Sequence, residues 1–181
     1  MKNIEVEIRS FISKDKYEEL LEFFRKNAEL VKEDYQETFY FDSDVDLRTQ
    51  RNSKRSKIWL KKGKIHDNAR EEIEVRFERD SFDKINDIFG SLGYGVEIKW
   101  FRKRFQFDWQ GIKVCLDYTK GYGYIIELEK MSDESGKEVV LNLLRDRLKE
   151  LRVEETSKEE FNKKFEDYKN NWRELVDDTI N

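Results

Sequence analysis

Proline is absent from this 181-residue chain, cysteine and histidine each occur once, and alanine occurs twice. The single Cys115 excludes an internal disulfide framework and any zinc site built from several cysteines, which fits a reducing compartment. No run of about 18 apolar residues occurs, so no transmembrane helix is expected. The opening MKNIEVEIRS carries Glu5 and Glu7 where a secretory signal would need its apolar stretch, and the cytoplasm is the default expectation, with no membrane partner. Basic excess is also missing: 36 Lys and Arg face 40 Asp and Glu, a formal net charge of −4. That balance argues against a nucleic-acid partner and requires any anion site to be local. A proline-free, alanine-poor, Lys- and Glu-rich composition arises from genome bias or from adaptation to heat, and composition does not separate the two.

What is present is charge and aromatic bulk together. Charged residues make up 42% of the chain, yet hydrophobic residues reach 37%, with 13 Phe, 8 Tyr and 4 Trp, so a packed core is expected under a heavily charged surface or around a charged cavity. With no internal repeat and no low-complexity linker, residues 1–181 read as one domain of the α+β class. Ile4 to Arg9 alternates apolar and charged residues strictly, the period of a strand, and 71–78 (EEIEVRFE) repeats it. Further strand-like runs lie at 36–42, 57–62 (where the alternation is poor), 99–109, 111–118 and 124–130, with turns at Gly111 and Gly121–Gly123. Helical stripes occupy 14–28 and 81–92, the latter ending at Gly93. From about 133 to 178 the period is helical, with Ser157 and Glu160 suited to a capping box.

Three strands carry a Glu-x-Glu pair on the polar face: Glu5 and Glu7, Glu72 and Glu74, Glu127 and Glu129. Same-face residues two apart lie about 6–7 Å from each other. Paired carboxylates with a third from a neighbouring strand give hard oxygen ligands for Mg²⁺ or Mn²⁺, which also bind phosphate oxygens. Arg9, Arg48, Lys62, Arg76, Arg102, Arg104 and Lys113 lie on the same kinds of face. If these faces point inward, metal and cations together complement a polyanion such as triphosphate. An open antiparallel sheet with its polar face in water is the alternative.

Glu5-x-Glu7-x-Arg9 resembles the strand-one signature Glu-x-Glu-x-Lys of the CYTH, or triphosphate tunnel, family, with arginine for the usual lysine. QETFYFD at 36–42, Leu47-Arg48, Lys62-Gly63, Arg70 to Val75, the basic cluster 102–104, GIKVCLD ending at Asp117 and GYGYIIELE ending at Glu129 follow in the family's order, over roughly residues 3 to 152. Gln50 stands where a second arginine often follows Leu-Arg, Lys64 replaces the proline after Lys-Gly, and Lys103 competes for register with its neighbours. The resemblance implies a closed eight-stranded antiparallel β-barrel, a tunnel with a charged interior and amphipathic helices packed outside. It implies that Glu5, Glu7, Glu127 and Glu129 bind Mg²⁺ or Mn²⁺, with Asp117 and Glu72 or Glu74 serving a second metal or water. Arg9, Arg48, Lys62, Arg76, Arg102, Arg104 and Lys113 would hold a small-molecule triphosphate, and Tyr40 with Lys62 would orient and deprotonate water. Triphosphate hydrolysis is the preferred activity, a class IV adenylyl cyclase the alternative and a noncatalytic polyphosphate binder a third reading; a homodimer is left open.

Other signals are weaker. Asp42-x-Asp44-x-Asp46 lacks the glycine and glutamate of a calcium loop and reads as an acidic turn. His66 has no Cys or His partner, Cys115 has no neighbouring His to make it a nucleophile, and RNSKRSK at 51–57 reads as a solvated hairpin loop or an anion-steering entrance.

Overall fold

The alternation of Ile4 to Arg9 becomes β1 (Ile4–Ile12), with Val6 and Ile8 buried on one side and Glu5 and Glu7 exposed on the other. In this computed structural model, which describes residues 4–61 and 72–177, β1 is followed by α1 (Lys14–Asn27), β2 (Glu29–Phe41), β3 (Asp46–Arg51), β4 (Ser56–Lys61) and β5 (Glu72–Phe77). Then come α2 (Phe82–Ser91), β6 (Val96–Trp109), β7 (Ile112–Thr119), β8 (Gly123–Ser132), α3 (Lys137–Glu150) and α4 (Lys158–Val176). The strands form one antiparallel sheet in the order β1-β8-β7-β6-β2-β3-β4-β5.

The expected closed barrel does not form. Among the described residues the order ends at β1 and β5, each hydrogen-bonded to one neighbouring strand, whereas a barrel needs its first and last strands to pair in a continuous stagger. β5 is only six residues long and its back-face residues Ile73 and Val75 are exposed, so the sheet finishes there as an edge. The helices are not all on the apolar side either. Phe161 of α4 stacks on Phe11 at 4.3 Å between ring centroids, and Phe11 alternates with Glu5, Glu7 and Arg9 on the charged side of β1. The charged pattern of β1 stops at Phe11, which leaves an apolar landing place for that helix.

Two compact units make up the described chain. The first contains residues up to 33 and 103–168. Its core is the apolar back of β1, β7 and β8 (Val6, Ile8, Ile112, Val114, Leu116, Ile126, Leu128) with Phe105, Phe107 and Trp109 of β6. α1 and α3 cover this core. Ser13 caps α1 by accepting from the Lys16 amide, and the i, i+3, i+7 spacing of Tyr17, Leu20 and Phe24 sends one stripe inward. Phe24 stacks against Phe107 and meets Trp109 edge-on, and Leu144 and Leu148 of α3 are buried in the same cluster. The β6–β7 turn places both Gln110 and Gly111 at positive φ, the pairing a two-residue hairpin turn requires. Ser157 caps α4 by accepting from the Glu160 amide, as its spacing predicts.

The second unit spans residues 34–102 together with the end of α4 from 169. Phe82 and Phe89 of α2, seven residues apart, pack on Phe39 and Phe41 of β2. The helix ends as the sequence predicts at Gly93, whose φ of 93° lets Tyr94 and Gly93 donate back to Phe89 and Gly90. β3 and the first half of β2 are strands that the sequence reading does not identify.

Phe24 is completely buried at the centre of the first unit's core. Phe24→Ala removes those contacts and leaves a cavity, so it lowers unfolding free energy by about 3–5 kcal/mol, read from the urea midpoint at unchanged slope.

Candidate active site

Register decides which charges meet. In the first unit Glu7 pairs with Glu129 and Arg9 with Glu127 across β1–β8, while Lys113 pairs with Glu129 and Cys115 with Glu127 across β7–β8. Carboxylate oxygens of Glu5, Glu7 and Glu129 lie within 4.8 Å of one another. Like charges directly opposite on neighbouring strands repel, and compensating cations come from the same strands. Lys113 binds the Glu129 carboxylate. Arg104 of β6 donates two bonds to Asp117, at 2.7 and 2.6 Å, and one to Glu127 at 3.3 Å. The Arg9 guanidinium lies 4.6 Å from the Phe161 ring centroid.

The electrostatics follow this geometry. Burial lifts the Glu7 carboxyl above its usual range, Glu127 and Glu129 add to the shift, and Arg9 and Lys113 oppose it. Glu129, nearly all of it buried, is raised by desolvation and by a hydrogen bond with Glu5, against the pull of Lys113. Burial disfavours the Arg104 charge, but Asp117 and Glu127 outweigh it and keep the guanidinium protonated. The Cys115 thiol is pushed up to about 12, first by burial. Among these described residues, five carboxylates (Glu5, Glu7, Asp117, Glu127, Glu129) against Arg9, Arg104 and Lys113 leave two negative charges when all are ionised. A divalent cation at Glu5, Glu7 and Glu129 would neutralise that excess, and three converging hard oxygens suit Mg²⁺ or Mn²⁺. The residues present fit such an ion.

The second unit places Asp34, Gln36, Thr38 and Tyr40 of β2 on one face, and Asp34, Gln36 and Thr38 are buried. The register adds Arg48 and Gln50 of β3, Lys57 and Trp59 of β4, and Glu74 and Arg76 of β5 to that face. Arg48 forms a fork with Asp46 at 2.5 and 2.6 Å, donates to the Tyr40 hydroxyl at 3.2 Å, and lies 4.2 Å from the Tyr40 ring centroid. Arg102 donates twice to Gln36. Lys57 and Arg76 both bind Glu74, and although burial works the other way, these two bonds hold its pKa below the usual value.

These contacts settle the register at 102–104. Arg104 reaches Asp117, whereas Lys103 pairs with Glu33 and lies over Phe105, on the opposite side of the strand. Asp46, read as part of an acidic turn, is committed to Arg48. Asn52 accepts from the amides of Lys54 and Arg55, so the basic run at 51–57 includes a tight hairpin turn. Lys62, His66 and Arg70 lie outside the described residues, as does the side chain of Glu72. The sequence reading omits Asp34, Gln36 and Thr38, which the same alternation that marks Tyr40 would have revealed. It also omits Trp59, whose buried indole N–H has no hydrogen-bond partner among the described residues.

The sheet carries a carboxylate cluster with interleaved cations on one face. The CYTH domain profile matches residues 3–161, and the chain belongs to the CYTH family. A comparison with curated proteins finds no match. Among solved structures, a conserved hypothetical protein from Pyrococcus furiosus is 26% identical with a TM-score of 0.65, covering 83% of this chain and 91% of that one. HpAC1 from Hippeastrum, an adenylyl cyclase candidate with a dominant triphosphatase activity, is 19% identical with a TM-score of 0.65, covering 87% and 91%. A candidate adenylate cyclase from Vibrio parahaemolyticus is 15% identical with a TM-score of 0.64, covering 88% and 98%.

Two consequences can be measured. Because the folded-state pKa of Glu7 is raised, the folded metal-free protein favours its neutral form: the stability it contributes is complete below the ordinary carboxylate value and lost as pH rises through the folded value. Glu7→Gln therefore stabilises the metal-free protein at about pH 7 relative to about pH 4, where the two proteins converge; an equal difference at both pH values in thermal melts contradicts this. Arg104→Ala removes the ion pair and both hydrogen bonds that Arg104 makes to the buried Asp117 and costs about 3–5 kcal/mol in urea unfolding.

Proposed function

We propose that this chain hydrolyses a small-molecule triphosphate, inorganic tripolyphosphate or a nucleoside or thiamine triphosphate, using Mg²⁺ or Mn²⁺ held by Glu5, Glu7 and Glu129. The observation that carries the reading is the convergence of those three carboxylates within 4.8 Å beside Lys113 and Arg104. CYTH membership supports it, and the triphosphatase activity named for the Hippeastrum protein agrees with it. A pure anion binder would have little use for such a cluster.

When bound, the cation draws charge from phosphoryl oxygens and helps neutralise what develops on the leaving group. The chain's own residues supply the rest. Glu5, Glu7 and Glu129 would hold the ion through carboxylate oxygens that lie within 4.8 Å of one another. Lys113 and Arg104, paired with Glu129 and with Asp117 and Glu127, remain charged beside the incoming phosphate oxygens, and Arg9 adds a third cation on the same face. Glu127 is assigned with Glu5, Glu7 and Glu129 to the metal and Asp117 to a second ion or to water, and both carboxylates fix the Arg104 fork. The resemblance assigns Arg48, Arg76 and Arg102 of the second unit as phosphate contacts; there Arg48 pairs with Asp46, Arg76 pairs with Glu74, and Arg102 donates to Gln36. Tyr40, with Lys62, is assigned to orient and deprotonate the attacking water, and Glu72 and Glu74 to outer carboxylate roles. Hydrolysis requires a water in line behind the terminal phosphorus.

With Mg²⁺ or Mn²⁺, tripolyphosphate and ATP yield orthophosphate, and excess chelator stops the reaction. Glu129→Gln lowers turnover by about 10²-fold or more while circular dichroism shows the fold intact. Cyclic AMP and pyrophosphate as the main products from ATP, with tripolyphosphate untouched, would replace hydrolysis by cyclisation.

A further inference from the structure

A second donor set on the first unit's carboxylate face contains a soft ligand. Cys115 is completely buried, and among the described residues no hydrogen bond reaches its Sγ. The β7–β8 register sets Cys115 opposite Glu127 and Lys113 opposite Glu129, and the alternation of each strand puts these side chains on one face. The Cys115 Sγ, one oxygen of Glu127 and one of Glu129 lie within 4.8 Å of one another. A buried thiol aimed at two carboxylates, without a hydrogen-bonding partner of its own, is a poor arrangement for packing and a good one for a cation that accepts sulfur.

The donor chemistry separates this set from the all-oxygen set of Glu5, Glu7 and Glu129. Mg²⁺ takes oxygen ligands in an octahedron and gains little from a thiolate. Zn²⁺ and its thiophilic relatives bind a thiolate at about 2.3 Å and carboxylate oxygens at about 2.0–2.2 Å, with three protein ligands and an open fourth position as a recurrent arrangement. Donors around such an ion stand roughly 3.3–3.8 Å apart, so side-chain rotations of about an ångström bring the set together.

We propose that Cys115, Glu127 and Glu129 form a site for a thiophilic divalent cation of the Zn²⁺ class that shares Glu129 with the proposed Mg²⁺ or Mn²⁺ site, so that occupation of one excludes the other. Binding exchanges the thiol proton for the metal: the S–H bond breaks, a sulfur–metal bond forms, and the proton passes to solvent. Arg104 and Lys113 then lose part of their hold on Glu127 and Glu129, which couples the soft ion to the cations proposed to bind phosphate. The consequence is inhibition by Zn²⁺ that competes with the activating ion. The inference rests on the carboxylate reading above only for the identity of the site it blocks.

Co²⁺ is a spectroscopic stand-in for Zn²⁺, and with one cysteine in the chain any thiolate-to-cobalt charge-transfer band reports Cys115 without a variant. Added to the reduced protein, Co²⁺ should produce that near-ultraviolet band together with the visible bands of a tetrahedral ion, and Zn²⁺ should abolish both at low molar excess. Cys115→Ser should remove the charge-transfer band, weaken Zn²⁺ binding at least tenfold by calorimetry, and make metal-dependent turnover at least tenfold less sensitive to Zn²⁺. Co²⁺ binding without a charge-transfer band, in protein that still binds Mg²⁺, overturns this inference and leaves the carboxylate site standing. Failure to bind Mg²⁺ or Co²⁺ overturns both.

Discussion

The first unit depends on a repulsion that its own strands must contain. The β1–β8 register places Glu7 against Glu129, and Glu5 reaches the same carboxylate, so a cluster of like charges is fixed as soon as these strands pair. Moving β1 by one residue would relieve it but would turn Val6 and Ile8 out of the core. The apolar back face thereby enforces the charged front face. Lys113 and Arg104 offset part of this repulsion.

This division of labour explains how a chain with 42% charged residues folds around an apolar core. Stability comes from the backs of the strands and from the stripes of α1 and α3, and the fronts need only be satisfied electrostatically. The second unit shows the same economy in a quieter form: Gln36 binds Arg102, Gln50 donates to Thr38, and Arg48 is gripped by Asp46 and Tyr40. Cations held in this way have already lost much of their rotational freedom.

The sequence made much of this legible because alternation is a local property. β1, β5 and the hairpin ends at Gly111 and Gly123 are readable from period and turn residues alone, and so are the carboxylate pairs. β3 was not, since Thr49 and Gln50 are polar on both faces and the apolar signal reduces to Leu47. The poor alternation of β4 has a physical cause: Trp59 is an aromatic ring on the polar face, with Lys57 at 4.2 Å and Arg48 at 5.7 Å from it. Closure of the sheet could not be read, because it depends on pairing between strands far apart in the chain. Nor could the internal pairing of the cations, since Asp46, Gln36 and Asp117 become partners only through side-chain direction. The α4 contact with Phe11 was missed for a related reason: one aromatic at the end of a charged face looks like noise until a helix lies on it.

The partnership between β1 and β8 also sets an order of events during synthesis. β1 ends at Ile12 and its partner begins at Gly123, so at about 5–20 residues per second roughly 6–22 s of elongation separate the two halves of the carboxylate cluster. Throughout that interval β1 has no strand to pair with, and its alternating glutamates keep the waiting segment soluble and discourage pairing with a second nascent chain. The residues that would later gather a metal ion thus first act as gatekeepers for an unpaired strand.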